Sequence, residues 1–154
     1  MNFRPSLWIS TFCFWLCLTP FVVAESPPGT PADIDAIRTT ITNQWAAFAE
    51  NDATRALSFA VPEIRDQFEA PEGFLLMVQV EYPVVFHHVA FRFLNPRFGS
   101  SFSFQWVRMT DSEGSVWLVL YELHRESDGT WLIGGVLEYA QDAVPDFLPP
   151  STDS

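Results

Sequence analysis

The chain has 154 residues, with 19 acids against 8 cations and a formal net charge of −11; every cation is an arginine. A surface of that sign disfavours nucleic acid and anionic membranes, both of which bind through neutralising cations. Apolar residues make up 48% of the chain, enough for one domain with a real core.

The first residues read as an export leader. Arg4 supplies a positive start, Leu7 to Leu18 an apolar stretch, and Val22-Val23-Ala24 a small-residue cleavage pattern before Glu25. That places a signal peptide over residues 1–24 and the mature protein in the periplasm or outside the cell, free of the membrane once cut. The alternative is a retained anchor, because Leu7 to Ala24 reaches the low edge of spanning length. Cleavage removes Cys13 and Cys17, leaving about 130 residues with no thiol and no disulfide. Neither cysteine follows the small residues of a lipoprotein box.

Residues 25–31, ESPPGTP, form a Pro-rich linker, and a single domain is expected over residues 32–140. Thr30-Pro31 is an N-cap followed by proline at the first helical position, with Asp33 near the positive end of the helix dipole. Ile34, Ile37, Ile41, Trp45 and Phe48 recur on one stripe, which predicts a helix to about Glu50. Asn51-Asp52 stops it and caps a shorter helix, Ala53 to Ala60. Pro62 and Pro71 start two more, the second facing Phe74, Met77 and Val78 inward until Pro83 ends it.

Beyond Pro83 the period changes to two, with Val85, His87, Val89, Phe91 and Phe93 on one face of an expected strand. Asn95-Pro96 ends it. Three long strands follow, SFSFQWVRMT, SVWLVLYELHRE and WLIGGVLEY, joined by DSEG and SDGT turns. Asp128-Gly129 is a strong hairpin signal. The expected pairings are Thr110 with Ser115 and Ser127 with Thr130, which set Ser103 opposite Glu122 and Arg125 opposite Leu132. The glycine pair Gly134-Gly135 is expected to let the sheet bend or a backbone approach closely. Helices first, then about four antiparallel strands, is an α+β fold with helices on one face of a curved sheet. In that register both faces are too apolar to be left to water. The helices cover one, and a homodimer through the other face is expected. Gln141 to Ser154 reads as a flexible acidic tail.

Stretches such as ITNQWAAFAENDATRALSFAVPEIRDQF, PEGFLLMVQVEYPVVF and QWVRMTDSEGSVWLVLYELHRESDGTWLIGGVLE resemble an exported bacterial family known as domain of unknown function 4864. Gln44, Asp52, Tyr82-Pro83, Gln105, Trp117, Tyr121-Glu122-Leu123 and Trp131 carry the resemblance, which spans nearly the whole expected mature chain. It implies the SnoaL-like, nuclear-transport-factor-2-like cone, in which a long helix, short helices and a strongly curved sheet surround a pocket. It implies no particular reaction, since that superfamily holds both enzymes and binding modules.

Under the expected register Ser103, Gln105, Glu122 and His124 share one sheet face, with Glu122 and His124 two residues apart. A carboxylate and an imidazole so placed can act as general base and acid; as a surface feature they are a polar pair at a sheet end. Gln44 beside Trp45, Tyr82 at the end of the fourth helix, and Tyr121 in mid-strand could orient a ligand, or serve as core residues with one satisfied polar atom. His87-His88 cannot hold one ion, because neighbours on a strand point to opposite faces. No metal and no cofactor is expected, and Gly-x-Ser-x-Gly and zinc spacings do not occur. The leading expectation is a module that binds a small apolar molecule or a protein without chemistry; the alternative is a cofactor-free isomerase or dehydratase using Glu122 and His124.

Overall fold

A computed structural model describes residues 29–140. The expected leader, most of the linker and the acidic tail lie outside the described residues. Helix α1, Pro31–Ala49, opens on a capping box: the Thr30 hydroxyl accepts from the Asp33 backbone N–H, and the Asp33 carboxylate accepts from the Thr30 N–H in return. Ile37, Ile41, Trp45 and Phe48 of its apolar stripe are buried, and each fully buried Ile contributes about 1.5–3 kcal/mol. Asn51 takes a positive φ of 53° to end the helix, and Asp52 caps α2, Ala53–Ser58, by accepting from the Arg55 N–H.

Three short helices follow: α3 (Pro62–Arg65), α4 (Pro71–Glu81) and α5 (Pro83–His87). The last corrects the sequence reading, which gave Val85 to Phe93 to one strand. A proline stops the helix before it, but it also seats the first turn of the next, since its missing N–H is not needed there. Val84 and Val85 are then buried by the single turn that results. Only Ala90–Phe93 is extended, as β1.

The sheet continues through β2 (Arg97–Phe98), β3 (Phe102–Thr110), β4 (Val116–Arg125) and β5 (Trp131–Ala140). It is antiparallel throughout, in the order β1-β3-β4-β5, with the two-residue β2 also paired to β3. The fold is therefore α+β, with helices on a curved, unclosed sheet of five strands. The loop between α2 and α3 covers part of the β5 edge: the Val61 N–H donates to the Ile133 carbonyl and the Ile133 N–H to that of Phe59. Unpaired edge groups are thereby removed.

Two registers differ from expectation. Thr110 pairs with Val116, not Ser115. The cause is Asp111, whose carboxylate accepts from the N–H groups of Glu113 and Ser115 and from Trp117 Nε1. Gly114, at a φ of +85°, closes this longer loop. In the second hairpin Arg125 pairs with Trp131, one residue off the expected partner, whereas Glu122 faces Gly135 as expected. The difference is absorbed by a β-bulge at Gly134, which has no partner across the ladder. A bulge bends its strand and sharpens the twist.

The shift of the first register re-sorts the two faces. Ser103, Gln105, Val107, Met109, Val119, Tyr121, Leu123 and Ile133 all turn inward and are buried beneath the helices. The outer face carries Phe104, Leu118 and Leu120 half-buried, Trp106 covered in part by Tyr139, and Phe102 and Leu137 exposed.

Candidate functional site

The described residues line a half-open, largely apolar cavity of about 290 Å³ between α1, α3, α4 and the bulged part of β5. Phe48, Phe74, Met77 and Val78 supply its helical walls, and Gly134-Gly135 its floor. The glycines matter by what they leave out. A side chain on Gly134 would meet the His124 ring on the far side of the sheet, whose Nε2 stands 2.8 Å from the position of a Cβ.

Gln44, expected to reach a pocket, lines this one. It is 3% exposed, and its Nε2 donates to the Ala56 carbonyl at 3.2 Å. That carbonyl can only accept, which orients the amide. No described residue donates to the remaining Gln44 Oε1. Tyr82 also lines the cavity, half-buried at the C-terminal end of α4.

The other expected site residues lie elsewhere. Gln105 is buried on the inner face as a joint: its Nε2 donates to the Leu94 and Trp106 carbonyls at 2.7 Å each, and Arg38 Nε donates to its Oε1 at 3.4 Å. Tyr121 is fully buried, and its hydroxyl accepts from Trp45 Nε1 at 2.8 Å. Burial drives the phenol pKa well above its ordinary value, so it stays protonated. Neither residue lines the cavity.

Glu122 and His124 turn to the outer face, apart from Ser103 and Gln105, because of the one-residue register shift between β3 and β4. They are hydrogen-bonded to each other, Nε2 to Oε1 at 2.7 Å, with side chains 43% and 46% exposed. The four residues expected on one face are thus divided between two. Glu122 and His124 are separated from the cavity by the Gly134-Gly135 backbone.

His88, weighed by sequence only as half of a metal pair, and Glu138, not singled out at all, carry perturbed pKa values. Burial lowers that of His88, against a hydrogen bond between its Nδ1 and the Val85 carbonyl; its ring sits edge-on to Trp45. Burial raises that of Glu138, whose Oε1 accepts from the Val85 N–H. A single carboxylate on the inner side of an otherwise apolar strand is the one sequence signal that points to Glu138. The buried Asp33 shows the opposite balance. Burial raises its pKa, but hydrogen bonds from Thr30 and Trp131 and the charge of Arg125 together hold it below the usual carboxylate value. Among the described residues no group of three or more His, Cys, Asp or Glu side chains could hold a metal ion.

A family profile described as Domain of unknown function (DUF4864) matches residues 30–144. The chain belongs to this family. Comparison with curated proteins gives no match. The match to DUF4864 takes in α1 through β5, and with them every wall of the cavity. In this DUF4864 domain the apolar recess is the α1/α4/β5 cavity, while the acid–base pair stands on the outer face of the sheet.

Proposed function

We propose that the domain binds a small, largely apolar molecule in the cavity between α1, α4 and the glycine bulge of β5, and performs no chemistry on it. The supporting observation is the lining itself: phenylalanine, methionine, valine and glycine, with one deep amide and no charged side chain. Concave, mostly apolar sites with few polar groups are the usual form of a small-molecule site. The volume is about twice that of the roughly 150 Å³ cavity able to take up benzene. In the SnoaL-like reading this is the pocket of the cone. Export belongs to the same proposal, and the mature N-terminus, read by mass spectrometry, tests it at Glu25.

Native mass spectrometry of the protein isolated from its own cells should show a non-covalent adduct. Met77→Trp, which fills the cavity, should lose it. A wild-type protein always free of adduct, with Met77→Trp clearly more stable than wild type, would refute the reading, since the cavity would then be only a packing defect.

The isomerase or dehydratase reading draws on the short Glu122–His124 hydrogen bond. Its substrate would have to sit on the open outer face, where water competes for both groups. Pairing of two copies through that face draws on exposed Phe102 and Leu137 beside half-buried Phe104, Leu118 and Leu120. Light scattering at micromolar concentration decides it: a pure monomer removes the dimer.

A further inference from the structure

The cavity's polarity narrows what it accepts. Gln44 is the one polar side chain buried in its wall, and its amide is oriented by the Ala56 carbonyl. The group left to the cavity is therefore an oxygen without a described donor. Gln67 and Tyr82 also line the space, but Gln67 is exposed with its Nε2 donating to the Glu63 carbonyl, and Tyr82 is only half-buried, so neither is a deep polar group. No cation lines the cavity, and the whole chain is strongly acidic.

We infer that the DUF4864 cavity selects neutral molecules with an apolar, two-ring-sized body and one hydrogen-bond donor, an alcohol, phenol or amide N–H, which donates to Gln44 Oε1. This rests on the proposed small-molecule reading and adds the chemical class. Two physical costs set the selection. A purely apolar occupant leaves the Gln44 oxygen buried without a donor, losing the hydrogen bond that a hydroxyl would supply. A carboxylate there meets another oxygen and no cation, so it loses its hydration without compensation.

Three probes of one shape separate the terms: naphthalene, 1-naphthol and 1-naphthoate, measured by equilibrium dialysis against the folded wild-type protein at neutral pH. The expected order is 1-naphthol tightest, naphthalene between roughly two- and tenfold weaker, and 1-naphthoate weakest. Gln44→Met keeps the length and removes the acceptor, so the advantage of 1-naphthol over naphthalene should vanish while naphthalene binding holds. Equal binding of naphthalene and 1-naphthol to wild type, or tightest binding of 1-naphthoate, overturns the donor inference and leaves the cavity reading standing. Binding of none of the three overturns the cavity reading itself. The wild-type ranking decides the matter even if Gln44→Met fails to fold, and Met77→Trp, checked by its melting curve, should abolish binding of all three.

Discussion

Replacing Tyr121 by Phe tests whether the long helix is tied to the sheet as described. The hydroxyl is the acceptor for Trp45 Nε1 at 2.8 Å, and both side chains are buried, at 0% and 7% exposure. The substitution removes one oxygen and leaves the rest of the ring in place, so packing changes little. The indole N–H is then buried without an acceptor, at a cost of about 1–3 kcal/mol. Part of that is returned, because the phenol no longer has to be desolvated on folding. The expected net loss is about 1 kcal/mol, equivalent to a fall of roughly 4 °C in Tm for a domain of this size. Urea unfolding followed by far-ultraviolet circular dichroism measures it without relying on the tryptophans. A cycle with Trp45→Phe should give a coupling energy of about 1 kcal/mol, because either single change breaks the same bond. Tyr121→Phe as stable as wild type, together with zero coupling, would show that the indole and phenol do not meet.

Three further outcomes follow from the same geometry. Gly134→Ala drives a methyl into the far end of the half-exposed His124 ring, which must swing aside, so it should cost about 0.5–1.5 kcal/mol and separate His124 from Glu122, seen as lost NMR contacts between the two side chains; unchanged contacts would place the ring elsewhere. Because the folded pKa of His88 is lowered, the unfolded chain binds the extra proton more readily. Its contribution to stability is complete above pH about 6.5 and is lost as pH falls through the folded pKa, so His88→Phe should flatten the urea midpoint against pH in that window. Glu138 has the opposite sign: its raised pKa means that its contribution is present below the ordinary carboxylate range and lost as pH rises through the folded pKa. Glu138→Gln, which still accepts from the Val85 N–H, should therefore raise the melting temperature at pH 7, and a lowered one would count against burial as the dominant cause.

Local chemistry made much of the molecule legible in the sequence. Thr30-Pro31 with Asp33, the Ile37, Ile41, Trp45 and Phe48 stripe, and Asp52 each name their own helix boundary or face within one or two turns. The three long strands announce themselves by β-branched and aromatic residues bounded by turn residues. The α+β order follows from these alone, because each depends on contacts within a few residues. For Gln44, beside the apolar stripe, and Tyr82, at a helix end, the sequence left a ligand-orienting and a core role open; both line the cavity.

What the tertiary structure decided turned on single residues. Asp111 recruits the N–H groups of Glu113 and Ser115, which lengthens one turn and moves Glu122 and His124 to the face opposite Ser103 and Gln105. Gly134 stands outside the ladder, which corrects the next register part-way along the strand. A side-chain period of two makes any such slip an inversion of faces, and the energies that select one turn over another are too small and too dependent on neighbours to be read from spacing. Pro83 shows the same limit, since a proline both ends one helix and begins another, and only the burial of Val84 and Val85 selects the outcome. Apart from α5, sequence therefore determined which segments are helix and strand; packing across the chain determined which side chains meet, and so where the cavity lies.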